Sequence, residues 1–227
     1  MRSDDVAAVA SLHARYIRQG LWAHLGETFL RTIYGTLLRH QSFLGYVYVD
    51  GDSVLGFIAG STDAPAMMRD IFRRYPVRFI TAAALGLLRR PSLIGPILQT
   101  FRYFDRSGIA GLGDVRAESL FCCFEPELRG KRISGLINKI LFDELARRGH
   151  RYVKITTRDD NEGAIRQLTS WGFERLGTFS FYGRPMIAWR LDLVSLQSAW
   201  NVSLPRLHEI FVSQAVAPVI NFRTPRV

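Results

Sequence analysis

The sequence predicts a mixed α/β (α+β) fold: a central mixed sheet flanked by helices, with a helical insertion ahead of the central strand. Three observations carry this. Residues 118–136, ESLFCCFEPELRGKRISGL, pass from an apolar strand-like run through a basic, glycine-containing turn into apolar residues at helical spacing. Residues 4–59 order as two helical patterns followed by two strand patterns, and residues 152–193 as strand, helix, strand, strand. With 48% hydrophobic and 22% charged residues, the 227-residue chain is composed like an ordered globular protein and suits one domain with a sizeable core. That domain is expected over residues 1–193, with residues 61–114 as an insertion and 194–227 as a C-terminal extension.

Taken in order, residues 4–18 place Val6, Val9, Leu12, His13 and Tyr16 on one face of an amphipathic helix. Residues 20–26 read as a loop around Trp22 and His24, and a second helix from about Thr28 repeats Phe29, Ile33 and Leu37 at helical spacing. Residues 43–49 and 54–59 are strands joined at the hairpin signal Asp50-Gly51. In the insertion, residues 67–75 form a short basic helix, residues 79–88 an apolar helix stopped by Arg89-Arg90-Pro91, and residues 93–104 an apolar run broken by Gly95-Pro96. Neither apolar run reaches the roughly 18–20 residues a membrane crossing needs. Core or dimer packing, a lid over the substrate and a peripheral membrane contact all remain open for it. The glycine-rich residues 108–113 return the chain to the central strand. Strands then follow over 174–180 and 186–193, and residues 196–211 suit a helix interrupted at Pro205.

The chemistry concentrates at the basic turn. A helix start presents unpaired N–H groups and the positive end of the helix dipole, both of which favour a phosphate. Arg129, Lys131 and Arg132 add full charges, Gly130 leaves an approach for a pyrophosphate, and Ser134 and Gly135 keep the first helical turn slim.

This turn resembles the acetyl-CoA pyrophosphate loop of the GNAT superfamily of N-acetyltransferases, Arg/Gln-x-x-Gly-x-Gly/Ala after a strand. Two positions depart from it, since Arg132 stands where glycine is usual and Ser134 where Gly or Ala is usual. Downstream, Asn161, Ala164 and Ile165, then Gly172 and Phe173, are similar to the family's Asn-x-x-Ala-Ile…Gly-Phe segment. The resemblance implies acetyl-CoA as co-substrate and direct acetyl transfer to a primary amine of a small molecule or protein. It implies that the pantetheine arm lies along Phe121, Cys122, Cys123 and Phe124, that Asn161 offers its amide to that arm, and that the segment with Leu21, Trp22 and His24 lines the acceptor site.

Acyl transfer to an amine needs a general base and something to polarise the thioester carbonyl. Glu118 is the candidate base: it starts the central strand, lies eleven residues before Arg129 as in the histone-acetyltransferase branch of the family, and is flanked by apolar residues that would raise its proton affinity. A structural pairing with Arg116 or another arginine is the alternative. Leu168 stands where the resemblance implies a general-acid tyrosine, so either Tyr182 is the acid or the thiolate leaves with the help of solvent. Cys122 or Cys123 as an acyl-carrying nucleophile is a further, less favoured route.

The net charge of +10 favours an acidic ligand or partner surface, so an acidic carrier protein delivering a longer acyl chain is an alternative donor, and a non-catalytic CoA-binding regulatory module a second alternative. No concentrated basic and aromatic motif indicates nucleic acid. The adjacent cysteines indicate a reduced compartment, no metal-ligand spacing is seen, and the N-terminal residues lack an apolar signal core, so a cytoplasmic location is expected.

Overall fold

The structure is a computed structural model that describes residues 1–18, 20–95, 97, 115–131, 133–181 and 183–195. Its opening has helix α1 (Val6–Tyr16), the single helical turn α2 (Leu21–His24) and helix α3 (Glu27–Leu37). The expected loop over residues 20–26 is therefore partly helical. Leu21 and Trp22 are both buried, and folding them inward winds the chain into a turn that Gly26, at φ 96°, breaks before α3.

Strands β1 (Phe43–Asp50) and β2 (Ser53–Ser61) form the expected hairpin, closing at Asp50 opposite Ser53 with Gly51 at φ 56°. Helix α4 (Ala64–Arg74) starts earlier than its apolar spacing suggests, because Asp63 caps it by accepting from the Ala66 amide at 3.0 Å. Helix α5 (Pro76–Arg89) likewise begins at its proline, which suits a first helical turn. Most of the second apolar run, the return over 108–113 and the tail from 196 lie outside the described residues.

After the insertion come β3 (Glu118–Phe124), α6 (Ile133–Arg147), β4 (Tyr152–Arg158), α7 (Glu162–Ser170), β5 (Glu174–Phe181) and β6 (Arg184–Asp192). The six strands lie in the order β1-β2-β3-β4-β6-β5, parallel between β3 and β4 and antiparallel between the other neighbours. Strand alternation divides the core between the two sheet faces. Phe57 and Ala59 join the cluster built on α1, α3 and α5, whereas Ile58 between them joins the cluster built on α6.

Helix α5 packs so closely on the chain between α2 and α3 that a Cβ on Gly86 would lie 2.7 Å from the Leu25 carbonyl oxygen and 2.8 Å from its Cα. Gly86→Ala is therefore expected to destabilise the protein by about 1–3 kcal/mol through overpacking. Gly35→Ala, in α3 with open space around the new methyl, is expected to gain about 0.5–1 kcal/mol. Urea denaturation of both variants checks the contrast, and a shift of the same sign in both would contradict it.

Candidate active site

The parallel pairing of β3 with β4 covers two residue pairs, Glu118 with Lys154 and Ser119 with Ile155. Past them the strands separate, while β3 stays paired with β2 as far as Phe124. The edge of β3 beyond Ser119 thus has no strand partner on the β4 side, and its polar backbone groups face a cleft of about 1110 Å³. At the base of this wedge the β2–β3 register slips: Ala59 faces Phe121 and Gly60 faces Ser119, which leaves Leu120 as an extra residue in β3. Such a bulge takes backbone groups out of the ladder and re-aims them.

Phe121, Cys122, Cys123 and Phe124 all line the cleft, as expected of the central strand. The two thiols point apart: Cys123 is buried in the α1 and α3 core and Cys122 is exposed to the cleft. Burial pushes the Cys123 thiol up, while Cys122 takes a hydrogen bond from Asn138 Nδ2 at 3.5 Å. Cys123 therefore stays protonated near neutrality, which disfavours it as a nucleophile.

At the far end of the cleft the chain turns into α6. Gly130 takes φ 77°, a conformation that disfavours a side chain, and nothing lies within 4 Å of the place its Cβ would occupy. Arg129, Gly130 and Ser134 line the cleft here. Lys131 and Gly135 do not: Lys131 is exposed beside the turn, and a Cβ on Gly135 would meet Trp171 at an ordinary 3.7 Å. Ser134 is held by Gln167 of α7, whose Nε2 donates to its Oγ at 2.9 Å. Asn161 also lines the cleft and caps α7, its Oδ1 accepting from the Ala164 amide at 3.2 Å. Arg132 lies outside the described residues.

Glu118 sits at the closed end, 3% exposed, and lines the cleft. Its alternative partner was expected to be Arg116, but Arg116 bonds Asp63 at 2.8 Å, and Glu118 Oε2 lies 3.4 Å from the ammonium of buried Lys154. The difference follows from register, because Lys154 is directly opposite Glu118 in the parallel pair. Trp22 and Leu21 of α2 line the cleft as well. His24 is outside the lining, with its Nδ1 3.1 Å from Arg90 Nη1 and its proton affinity lowered by burial and then by the Arg90 and Arg184 charges. Tyr182 lies outside the described residues. Leu168, where the resemblance implies a tyrosine, is buried. Among the described residues, Tyr16 is the tyrosine that lines the cleft, and its hydroxyl donates to Glu125.

One cleft-lining residue has no role in the sequence reading. His13 is fully buried between Trp22, Phe57 and Phe121, with its Nδ1 2.7 Å from the hydroxyl of fully buried Tyr34. A buried phenol O–H must donate, and this nitrogen is its acceptor, so the imidazole proton sits on Nε2. Nε2 itself has no hydrogen-bond partner among the described residues. Burial lowers the pKa of His13 to about 3, so the ring is a neutral donor under ordinary conditions. The sequence signal for it was a lone imidazole and a lone phenol on the apolar faces of two successive helices.

No family model and no curated protein matches the sequence. Solved structures do match in shape. The protein named SsHAT superposes with a TM-score of 0.62 at 16% identity, over 85% of this chain and 96% of its own. Ard1 from Thermoplasma volcanium gives a TM-score of 0.53 at 14% identity over 85% and 93% of the two chains. An N-acetyltransferase from Staphylococcus aureus Mu50 gives 0.53 at 16% identity over 85% and 95%. At these identities the likeness is one of architecture: a mixed sheet flanked by helices, the GNAT fold.

Proposed function

We propose that the protein is an N-acyltransferase that moves an acetyl group from acetyl-CoA to a primary amine by direct transfer. The observation that supports this most is the wedge between β3 and β4, which leads from a buried carboxylate to a basic, positive-φ turn at the start of a helix. The residues present suit CoA. Its pyrophosphate would meet Arg129, the open space over Gly130 and the first amides of α6, which point positive charge outward. Its amide-containing arm would pair with the free edge of β3 as an added strand, with the Asn161 amide across from it.

In this reading Glu118 takes a proton from the acceptor amine, directly or through water. The amine nitrogen then forms a bond to the thioester carbonyl carbon, the carbon–sulfur bond breaks, and the electron pair leaves on the CoA sulfur. The backbone re-aimed at the Leu120 bulge polarises the carbonyl oxygen. Leu21 and Trp22 supply apolar walls at the acceptor end of the cleft.

Calorimetric titration with CoA, acetyl-CoA and a long-chain acyl-CoA tests the reading. Wild type is expected to bind acetyl-CoA, and Arg129→Glu to bind it at least about tenfold more weakly, roughly 1.4 kcal/mol. A preference for the long chain would move the donor to a longer acyl group. Failure of all three to bind would overturn the proposal.

A further inference from the structure

Helix α5 is apolar on both of its faces. Phe79, Ala82, Ala83 and Gly86 turn inward against α3 and the chain at Leu25, as one face of a helix should. The opposite face carries Val77, Ile80, Leu85 and Leu88, exposed by 71, 66, 54 and 80%, and Ile94 beyond the helix end is 55% exposed. Scattered exposed aliphatics need no explanation, but a contiguous row of them on one helix does.

The charge around this row has one sign. Between Asp70 and Asp105 the sequence has no acidic residue, and Arg73, Arg74, Arg78, Arg89 and Arg90 are all exposed beside α5. Arg90 contacts His24, and the other four have no carboxylate partner among the described residues. No helix among the described residues is long and apolar enough to cross a membrane. An apolar helical face edged by unpaired arginines matches the interfacial zone of an anionic bilayer, where aliphatic side chains enter the acyl boundary and the guanidinium groups meet lipid phosphates. A second copy of the chain fits less well, because a two-fold contact through this face would bring the same arginines against each other.

We infer that the outer face of α5 docks on an anionic lipid surface. The place of α5 gives this a consequence for the cleft. Its C-terminal end meets α2 through Gly86 against Leu25 and Arg90 against His24, and α2 supplies Leu21 and Trp22 to the acceptor end. Docking through the outer face of α5 thus engages a helix whose inner face and C-terminal end touch this end of the cleft. The docking itself is independent of the reaction proposed above.

Vesicle flotation of the full chain tests it, using phosphatidylcholine vesicles with and without phosphatidylglycerol. Wild type is expected to float with the phosphatidylglycerol vesicles only, and to be released as sodium chloride is raised, since exposed charges are screened within about 8–10 Å near physiological salt. The Ile80→Glu/Leu88→Glu variant is expected to bind at least about tenfold more weakly with an unchanged melting temperature. Should that variant fail to fold, Arg78→Gln/Arg89→Gln carries the same expectation. Three results would overturn the inference: no flotation of wild type; flotation that persists undiminished in the folded variants; or a dimer by light scattering that Ile80→Glu/Leu88→Glu dissociates, which would assign the face to a second copy.

Discussion

Glu118→Gln is expected to lower kcat by about 10²–10⁴-fold, the usual contribution of a positioned general base, while acetyl-CoA binding stays near the wild-type value. The variant also leaves the buried ammonium of Lys154 without its carboxylate, 3.4 Å away in the native protein. Breaking a buried pair by removing one partner costs about 3–5 kcal/mol, so stability must be read alongside activity. Lys154→Met is the control. It removes the other half of the pair, should destabilise by a similar amount, and should leave the carboxylate able to accept a proton. Steady-state kinetics on both variants, at a temperature where both are folded, separates the two roles. Equal losses of kcat in the two would make Glu118 a structural residue that ties β3 to β4 and would remove it from the reaction.

A large pH effect on stability is expected from His13. Its pKa is lowered by burial from 6.5 to about 3, so between these values the unfolded chain holds a proton that the folded protein does not. The stability contributed is full above pH 6.5 and is lost as the pH falls through this window, by at most about 1.4 kcal/mol per pH unit for one proton. His13→Gln, which keeps an acceptor for the Tyr34 hydroxyl and does not titrate, should flatten the slope by about one proton. The informative window is pH 4.5–6.5, because Glu144, held down to about 2 by its hydrogen bonds to Arg147 and Arg148, adds its own loss only below 4.5. Urea denaturation at several pH values measures the slopes. If wild type and His13→Gln coincide across this window, the ring takes up its proton in the folded state and is not the neutral imidazole that accepts from the Tyr34 hydroxyl.

Much of the architecture was legible because its signals are local. The strand, turn and helix around Gly130 lie within a few residues of each other, the hairpin at Gly51 is a two-residue device, and Asn161 announces its cap by standing just ahead of α7. The site was legible only in part, for reasons of distance and register. The partnership of Glu118 with Lys154 depends on how two strands separated by α6 align, and Arg116, two residues away, looked the nearer partner. The imidazole of His13 was absorbed into an apolar helical face, since periodicity says that a residue is buried but not that one of its nitrogens is left without a partner. Lys131 and Gly135 carried the right composition for a phosphate turn and yet stand off the cleft, because neighbouring positions at a helix start point in different directions. How far β3 and β4 stay paired, which creates the cleft itself, has no local signature at all.

The brevity of that pairing divides the sheet into two ribbons, β1-β2-β3 and β4-β6-β5, joined at one end like the blades of open shears. Among the described residues, those at the joint and helices α6 and α7 on one face hold the blades together. A slender ligand laid along the free edge of β3 would act as the missing seventh strand and hold the blades at their working angle. Its saturation would then set the resistance of the protein to unfolding, by about 2.7 kcal/mol when the ligand stands at a hundred times its Kd. A cell that draws down its supply of that ligand would loosen the sheet at the same moment as it starves the reaction.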